Sequence, residues 1–322
     1  MPHTRRAEGP APAVTVQQPK HIAEAEANQG DAVLPLRVST LAQLTQQGAW
    51  QIALPHARDE HMFIWITRGQ GRATIRGLRR GIGANNVIYL PPGAQFSLEI
   101  GNQCFGQALI LRDGDHRLLP NTVQHLRMRD VAAQGELSAI VEMIQRELQH
   151  PQPLQAEALL AKFNLAAVWL RRQMLVMLDD TDRVSPALTT RETAGQRLSR
   201  RFADQVEEQY RAGHSMADFA EMLDVSPTHL TRVLRENAGM TAADLLTARV
   251  LHAARTLLAQ PDPPVQNVAK HLGFGSAAYF TRFIQNHTGK TPSSLRRAMN
   301  PAAKPPQHPG TAPVFRHQGS GR

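Results

Sequence analysis

A pattern of a short helix, a tight turn and a second helix occurs twice in the last third of this 322-residue chain. In the first copy, Ser215 precedes a short helical segment over 216–223, and Ser226-Pro227 supply the cap and the first residue of the next helix. The second copy predicts helices over 265–272 and 276–287. This is the helix-turn-helix arrangement, so the sequence predicts an all-α domain with two such units.

Matching residues mark the crossing and the turn of each copy. Ala220 and Ala269 stand where two helices cross closely and only a small side chain fits. Asp224 and Gly273 follow four residues later, where we expect a positive φ, which glycine adopts freely and Asp tolerates. A linker helix is predicted over 241–260, and twenty residues rise about 30 Å, near the ~34 Å between successive major grooves on one face of DNA. The spacing predicts that both units contact DNA at once.

Residues 196–298 closely resemble the AraC/XylS family of bacterial transcription regulators. The resemblance is carried in order by segments 219–230, 239–241, 249–258, 268–283, 289–292 and 295–296, of which Val268-Ala-Lys-His-Leu-Gly-Phe-Gly is part of the most distinctive. It implies a DNA-binding domain over 196–299 and a sequence-specific regulator. The implied partner is double-stranded promoter DNA, and RNA polymerase is a further candidate partner.

The second helix of each unit is the expected recognition helix, whose N-terminal residues reach base edges. An arginine can bind guanine O6 and N7 together, a threonine can donate or accept, and an alanine offers only contact with a thymine methyl. We therefore expect the first helix to discriminate more, although both faces could simply be solvated. The base-contact candidates are Thr228, Thr231 and Arg232, which match base-facing positions of the family, and Ser276, Ala277, Ala278, Thr281 and Arg282 in the second unit. The residues assigned to core or helix support are His229, Leu230, Val233, Tyr279, Phe280 and Phe283.

Phosphate contacts are predicted at two helix starts and three cations. Thr241 and Thr291 are expected to cap the helices that follow them, where backbone N–H groups can also hold a phosphate. Arg249, Lys290 and Arg296 are candidate phosphate contacts. The whole chain has 36 Lys and Arg against 27 Asp and Glu, but residues 191–299 have 14 against 10. Because this excess is small, we expect affinity to depend on dimerisation as well as on phosphate neutralisation.

An N-terminal β domain is predicted over 31–129. Short strands at 61–67, 72–76, 86–90, 95–100 and 107–111 are separated by Gly and Pro turns, which is typical of a small sandwich or barrel. The strands before 88–93 look like the cupin-type barrel that many such regulators place before the DNA-binding domain. A barrel mouth is a natural pocket for a small effector. Its candidate lining residues are Trp65, Arg72, Arg76 and Tyr89.

A cupin-type enzyme is the alternative from another functional class. Metal-binding cupins carry a His-X-His cluster with an acid and a later His. Here His56 and His61 are five apart, which on a strand places them on opposite faces, and Gln95 and Phe96 stand where the later His would be. We therefore expect no metal, no cofactor and no catalytic residues. An effector-independent regulator, whose barrel serves only for dimerisation, remains open.

The remaining segments complete an α+β multidomain prediction. A helical dimerisation segment is expected over 130–180, because its exposed apolar stripes need a partner, and we favour a homodimer over packing on the β domain. Residues 181–195 read as a linker, and 1–30 and 300–322 as disordered. Cys104 is the only cysteine, which suits a reducing cytoplasm, and no stretch is apolar enough for a membrane helix. The sequence thus predicts a cytoplasmic protein with a small cupin-like β-barrel, a helical dimerisation segment and an all-α domain whose helix-turn-helix units are joined by a linker helix.

Overall fold

A computed structural model of the chain describes residues 35–112, 117–184, 192–261 and 263–300. The predicted terminal segments 1–30 and 300–322 lie outside these residues, apart from Asn300. Residues 185–191 of the predicted linker 181–195 also lie outside them.

The N-terminal domain consists of two antiparallel sheets that face each other. Strands β1, β7, β2, β5 and β8 form a five-stranded sheet in that order, and β4, β3 and β6 form a three-stranded sheet. The core between them holds Met62 and Ile64 from one sheet and Ile75 and Phe96 from the other. The elements are β1 (Leu36–Thr40), α1 (Leu41–Leu44), α2 (Trp50–Ala53), β2 (Glu60–Arg68), β3 (Gln70–Ile75), β4 (Leu78–Gly83), β5 (Asn86–Leu90), β6 (Phe96–Ile100), β7 (Phe105–Arg112) and β8 (Gln124–Arg127).

The prediction of a barrel is corrected to an open two-sheet sandwich. Among the described residues, β4 and β6 each pair with β3, and no ladder joins either of them to the five-stranded sheet. The free edge of β6 makes an isolated bridge between Phe96 and His56. β4 carries Arg79, Arg80 and two glycines, a polar composition that suits an edge strand.

Two long helices, α3 (Val131–Gln149) and α4 (Gln155–Val184), cover the outer face of the five-stranded sheet. Phe63 and Tyr89 of that face pack with Leu137 and Trp169 of the helices, and the Trp169 indole donates to the carbonyl of Ala133 at 3.0 Å. The face is apolar and has to be covered, so the helices bury their main stripes on their own β domain. The sequence favoured pairing with a second copy over this packing; that preference is wrong for these stripes, while a homodimer through 130–180 stays a prediction.

The C-terminal domain is all α, as predicted. A single core contains Phe202, Phe219, Leu234 and Phe280 from helices of both units. The linker helix has 17 residues, which corresponds to about 26 Å and is shorter than predicted. The helices are α5 (Ala194–Gln209), α6 (Met216–Met222), α7 (Pro227–Ala238), α8 (Ala242–Leu258), α9 (Val265–His271), α10 (Ala277–Thr288) and α11 (Pro292–Met299).

The two domains are in contact. β4 of the three-stranded sheet packs against α5 and α7. Gly77, in the turn between β3 and β4, lies so close to α5 that an added Cβ would be 2.5 Å from the carbonyl oxygen of Ser199. The three-stranded sheet therefore contributes one face to the β-domain core and contacts the C-terminal domain through β4 and the turn that precedes it.

Candidate nucleic-acid interface

The first helix-turn-helix unit consists of α6 and α7, and its local chemistry agrees with the sequence prediction. Asp224 adopts a φ of 57° in the turn. The Ser226 hydroxyl accepts from the backbone N–H of His229 at 3.2 Å, and Pro227 occupies the first turn of α7. Leu230, Val233 and Leu234 are buried, so the opposite face is turned to solvent. On α7, Thr228 and Arg232 are exposed and Thr231 is half-buried.

Arg232 is held by neighbours on its own helix. Its Nη1 donates to Glu236 Oε1 at 2.7 Å, and its Nη2 lies 3.3 Å from Nδ1 of His229. Both members of the ion pair are more than half exposed, so solvent screens the pair and its contribution is small. The guanidinium can therefore leave Glu236 for a guanine edge at low cost.

The second unit, α9 and α10, repeats the framework with fewer restraints. Gly273 takes a φ of 77° in the turn, and the Ser276 hydroxyl accepts from the backbone N–H of Tyr279 at 3.1 Å. The Thr281 hydroxyl donates to the carbonyl of Ala277 at 2.8 Å. Ala277 is half-buried, Ala278 is exposed, and Arg282 is exposed with no ion-pair partner among the residues that the structure describes.

Two side chains that the sequence analysis assigned to core or helix support are exposed. His229 is exposed, and Tyr279 is 57% exposed with its ring 5.7 Å from that of Phe274. Each stands three residues after the cap serine of its helix, a regularity that the sequence already offers. Leu230, Val233 and Phe280 are buried as predicted, and Phe283 is half-buried. His229 and Tyr279 thus join the surface on which DNA contacts are expected.

Of the two predicted capping threonines, only Thr291 leaves its helix start open to an anion. The Thr241 hydroxyl accepts from Asp244 N at 3.0 Å, while the Asp244 carboxylate accepts from Thr241 N at 3.0 Å. The hydrogen bonds from Thr241 hold the pKa of the Asp244 carboxyl below its usual value, which keeps a negative charge at this helix start. Thr291 also caps its helix, accepting from Ser294 N at 3.3 Å, and is followed by Pro292 with Lys290 exposed beside it.

Arg249 was predicted to contact phosphate, and the structure contradicts this. Its Nε donates to both carboxylate oxygens of Glu207 at 2.8 Å, and its guanidinium carbon lies 3.7 Å from the ring centroid of Tyr210. Arg249 is 7% exposed, so its charge stabilises the junction of α5 and α8. Arg296 is half-buried and donates to the carbonyl of Pro263 at 2.5 Å, a bond that a phosphate contact would have to break.

Two polar side chains of the β domain bind residues of α5. Arg76 binds Asp204 through two nitrogens, with Nε 2.9 Å from Oδ1. Gln95, which is 2% exposed, donates through Nε2 to Glu207 Oε1 at 3.1 Å and approaches the carbonyl of Ala203 at 3.4 Å. The prediction that Arg76 lines an effector pocket is therefore wrong. Gln95, where a metal-binding cupin would have a histidine, serves the domain interface.

A pair of stacked histidines continues this interface. The rings of His56 and His252 lie 4.1 Å apart and 7° from parallel, and His252 Nε2 is 3.3 Å from the carbonyl of Gln51. Arg255 lies over the ring of Trp50 with its guanidinium carbon 5.1 Å from the centroid. Burial, followed by the positive charge of Arg249, lowers the pKa of His252 to about 3. Burial and His252 itself lower the pKa of His56 well below its usual value.

A cleft of about 1560 Å³ opens between the two sheets, at the end formed by α1, β3, β4, β6 and β7. Arg72 is among its lining residues, and its contact with an effector stays a prediction. Sequence reasoning missed the other polar residues of the lining, which include Asn86, Glu99, Cys104 and Arg127. Burial raises the pKa of the Cys104 thiol, so it is neutral at pH 7.

Trp65 and Tyr89 were also predicted to line an effector pocket, and both predictions are wrong. Both side chains belong to the core under α3 and α4. The Tyr89 hydroxyl is 2.8 Å from Nδ1 of His61. Alternation along β2 puts Phe63 and Trp65 on the helix side and Met62, Ile64 and Ile66 on the side of the inter-sheet core.

Across 35–112, 117–184, 192–261 and 263–300, no three His, Cys, Asp or Glu side chains are grouped so that they could hold a metal ion. Within the same ranges, no helix has the length and apolar character needed to span a membrane.

Comparisons with known proteins match both domains. The AraC-like ligand binding domain matches residues 43–163, and a helix-turn-helix domain matches residues 219–298. The uncharacterized HTH-type transcriptional regulator YijO of Escherichia coli is 23% identical over 262 residues, covering 77% of this chain and 83% of that protein. The arabinose operon regulatory protein of Salmonella typhimurium is 26% identical over 138 residues, covering 42% and 46% of the two chains.

The solved structure of ToxT from Vibrio cholerae aligns with 82% of this chain and 98% of its own, at 12% identity and a TM-score of 0.36. The two matched domains, in the order in which they follow along the chain and with regulators as the relatives, place the protein in the AraC/XylS family of transcription regulators.

Proposed function

We propose that this regulator binds promoter DNA with α7 and α10 in the major groove and that a small effector in the inter-sheet cleft controls the binding. The observation that carries the proposal is the equivalence of the two recognition helices. Arg232 and Arg282 each stand six residues after a cap serine, and both are exposed on a face opposite a buried apolar stripe. Thr228, Thr231 and Thr281 flank them, and Ser276, Ala277 and Ala278 complete the second face. Lys290 and the helix start at Thr291 are the best-placed phosphate contacts.

The test is genome-wide DNA capture with the wild-type protein and with the double variant Arg232→Ala/Arg282→Ala. We expect recurrent sites near promoters with the wild type and loss of those sites with the variant. A matched control, Arg68→Ala/Arg146→Ala, removes two exposed arginines of the β domain and should leave the sites in place. Binding without recurrent sites, or sites that survive the loss of both recognition arginines, would refute the assignment.

The effector part of the proposal rests on the shared three-stranded sheet. Its strands β3, β4 and β6 contribute Gly71, Ile82 and Ile100, which share the face of the inter-sheet core, to the cleft. The ends of the same strands hold α5, because Arg76 follows β3 and Gln95 precedes β6. A molecule that changes the separation of the two sheets would therefore change how α5 is held. This path is more direct than transmission through α3 and α4, which pack on the far sheet.

Filling the cleft tests this path. Ile100 at the end of β6 is half-buried, packs against the inter-sheet core and lines the cleft, so Ile100→Trp should occupy cleft space. On a promoter found by DNA capture, a reporter should respond to a growth condition or compound with the wild type and lose that response with Ile100→Trp. An unchanged response would exclude the cleft. A reporter that responds to no condition with either protein would favour the effector-independent alternative.

We also propose a homodimer that forms through α4. Leu165 and Val176 are about half exposed and stand eleven residues apart, about three helical turns, so they share a face. Leu165→Glu/Val176→Glu should convert a dimer to a monomer in sedimentation velocity, whereas Arg171→Glu on the same helix should not. A wild-type monomer at micromolar concentration would contradict the proposal. RNA polymerase stays a candidate partner, on the family resemblance alone.

A further inference from the structure

A groove of about 610 Å³ lies between the start of α5 and the recognition helix α7, away from the β domain's grip on α5. α5 and its cap contribute Thr193, Gly195, Arg197 and Arg201 to the wall, and α7 contributes His229, Arg232 and Glu236. The close approach of the helices explains Gly195, since a Cβ there would be 3.3 Å from Nδ2 of Asn237. Neither Arg197 nor Arg201 belonged to the contacts predicted from the sequence.

Arg197 and Arg201 share one face of α5, since they are four residues apart, and both are exposed. Nη1 of Arg197 donates to the carbonyl of Glu192 at 2.6 Å. A guanidinium has five donors, so most of its capacity remains. For Arg201, the described residues supply no ion pair.

Glu192, Asp204 and Glu236 are engaged in ion pairs with other arginines. Glu192 binds Arg200 at 2.7 Å, and Asp204 is bound to Arg76 of the β domain. Glu236, the one carboxylate among the residues that line the groove, is paired with Arg232. The groove therefore has an excess of positive charge immediately beside a helix that reads the major groove.

We propose that this groove holds the DNA backbone, with Arg197 and Arg201 neutralising two phosphates beside the bases contacted by α7. The proposal rests on the proposed function in placing α7 in the major groove. Phosphates line the rim of that groove, and guanidinium is the side-chain group that best matches them. Phosphate contact carries no sequence information, so these arginines set the position and strength of binding while α7 supplies specificity.

The test measures salt dependence of DNA binding. Two labelled 40-bp duplexes are used, one of random sequence and one enriched from genomic DNA by the wild-type protein, and affinity is followed by fluorescence anisotropy from 0.05 to 0.3 M salt. For Arg197→Gln/Arg201→Gln we expect both duplexes to bind about ten-fold more weakly at 0.15 M salt. The slope of log K against log salt should fall in magnitude by about 2, at roughly 0.9 per phosphate.

Three comparisons make the result decisive. Arg197→Lys/Arg201→Lys keeps the charge and should retain most of the slope, whereas a structural role would not be rescued in this way. Arg129→Gln/Arg146→Gln removes two exposed charges from the β domain and should leave the slope unchanged. Circular dichroism melting should show that all variants fold like the wild type.

An unchanged slope in the glutamine variant would overturn the proposal. Unchanged DNA binding with reduced transcription in a purified RNA polymerase reaction would also overturn it and would assign the groove to a protein partner. If the wild type enriched no sequence, the proposed function would be refuted instead. Binding to the random duplex would still show whether Arg197 and Arg201 contact phosphates.

Discussion

The two helix-turn-helix units have the same framework and different surroundings. In both, a serine caps the recognition helix, a residue with positive φ makes the turn, and an arginine stands six residues after the cap. Around the first unit lie Glu236, the arginines of α5 and the β domain, whose strand β4 contacts α5 and α7. In the second unit, Asn286 stands where the first has Glu236, and Arg282 has no ion-pair partner in the described chain.

This difference shows which features belong to the motif and which belong to its place in the chain. Caps, turns and buried stripes are local and therefore repeat. Ion pairs that depend on α5, α8 or the β domain do not repeat, because each unit has different neighbours. Regulation is therefore expected to act mainly on the first unit, which alone has β4 against its recognition helix among the contacts described above.

The largest effect is expected at Arg249, the cation of α8 that joins the first unit to its support. Arg249→Gln leaves Glu207 buried without its ion pair, which should lower the free energy of unfolding by about 3–5 kcal/mol. Urea denaturation followed by circular dichroism at 222 nm measures this change. Arg282→Gln on the exposed face of the second unit should change it by less than about 0.5 kcal/mol. A stable Arg249→Gln protein with a reduced salt slope would restore the phosphate role.

The two turn residues should respond differently to substitution. A Cβ at Gly273 would lie 2.4 Å from the carbonyl oxygen of Arg211, at a φ of 77°. Gly273→Ala should therefore cost about 2–4 kcal/mol, from positive φ and the backbone contact together. Asp224→Gly in the first unit should be within about 1 kcal/mol of the wild type, because glycine accepts the same φ. Gly275→Ala, with nothing within 4 Å, is the control. Equal melting temperatures for Gly273→Ala and Gly275→Ala would contradict the close contact.

The recognition arginines come next. Arg232→Ala and Arg282→Ala should each weaken binding to the enriched duplex by about 1–3 kcal/mol, the usual value of a bidentate contact with guanine. Glu236→Gln should strengthen binding slightly, since it frees Arg232 and removes a negative charge, whereas Asn286→Gln should have no effect. Competition anisotropy with single-base operator variants separates the two units. If Arg282→Ala relaxed the discrimination between bases and Arg232→Ala did not, the expectation that the first unit reads more bases would be contradicted.

These contrasts also show which features could be predicted from the sequence alone. Ser226, Asp224 and Gly273 were assigned correctly, because caps and turns depend on neighbours within four residues. Arg249 was misassigned, because its burial depends on Glu207, 42 residues away. The prediction for Arg76 was wrong for the same reason, since its partner Asp204 lies 128 residues further along the chain.

In the β domain, alternation identified the strands but not which face of each would be covered. Trp65 and Tyr89 alternate correctly, and helices that begin at Val131 decide that they are buried. β4 was missed, because Arg79-Arg80-Gly81 has neither apolar alternation nor β-branched residues. The cleft could not be predicted for a related reason: its lining comes from the ends of strands that are brought together only by the sandwich.

The smallest effect is acid sensitivity of the attachment between the first unit and the β domain. His252 is buried near Arg58, Arg249 and Arg255, and its pKa is about 3 in the folded protein against an ordinary value of 6.5. Between pH 6.5 and about 3, His252 is therefore mainly protonated in the unfolded chain and mainly neutral in the folded chain. The full stability is present above pH 6.5 and is lost as the pH falls from 6.5 toward 3, by about 1.4 kcal/mol per pH unit at most for this group.

Urea denaturation at pH 7.5 and 5.5 tests this sign. The wild type should lose about 1 kcal/mol more than His252→Asn on acidification, since Asn can still donate to the carbonyl of Gln51 but does not titrate. His125, whose pKa is also lowered by burial, is present in both proteins and cancels in the comparison. In His252→Asn the smaller side chain covers less of the His56 ring, so His56 becomes more exposed. The difference in stability loss between the two proteins therefore also includes part of the pKa shift of His56. Equal losses in the two proteins would mean that the histidine stack opens to water. The attachment to the β domain would then depend on the bonds of Arg76 and Gln95 and on the contacts of β4 with α5 and α7.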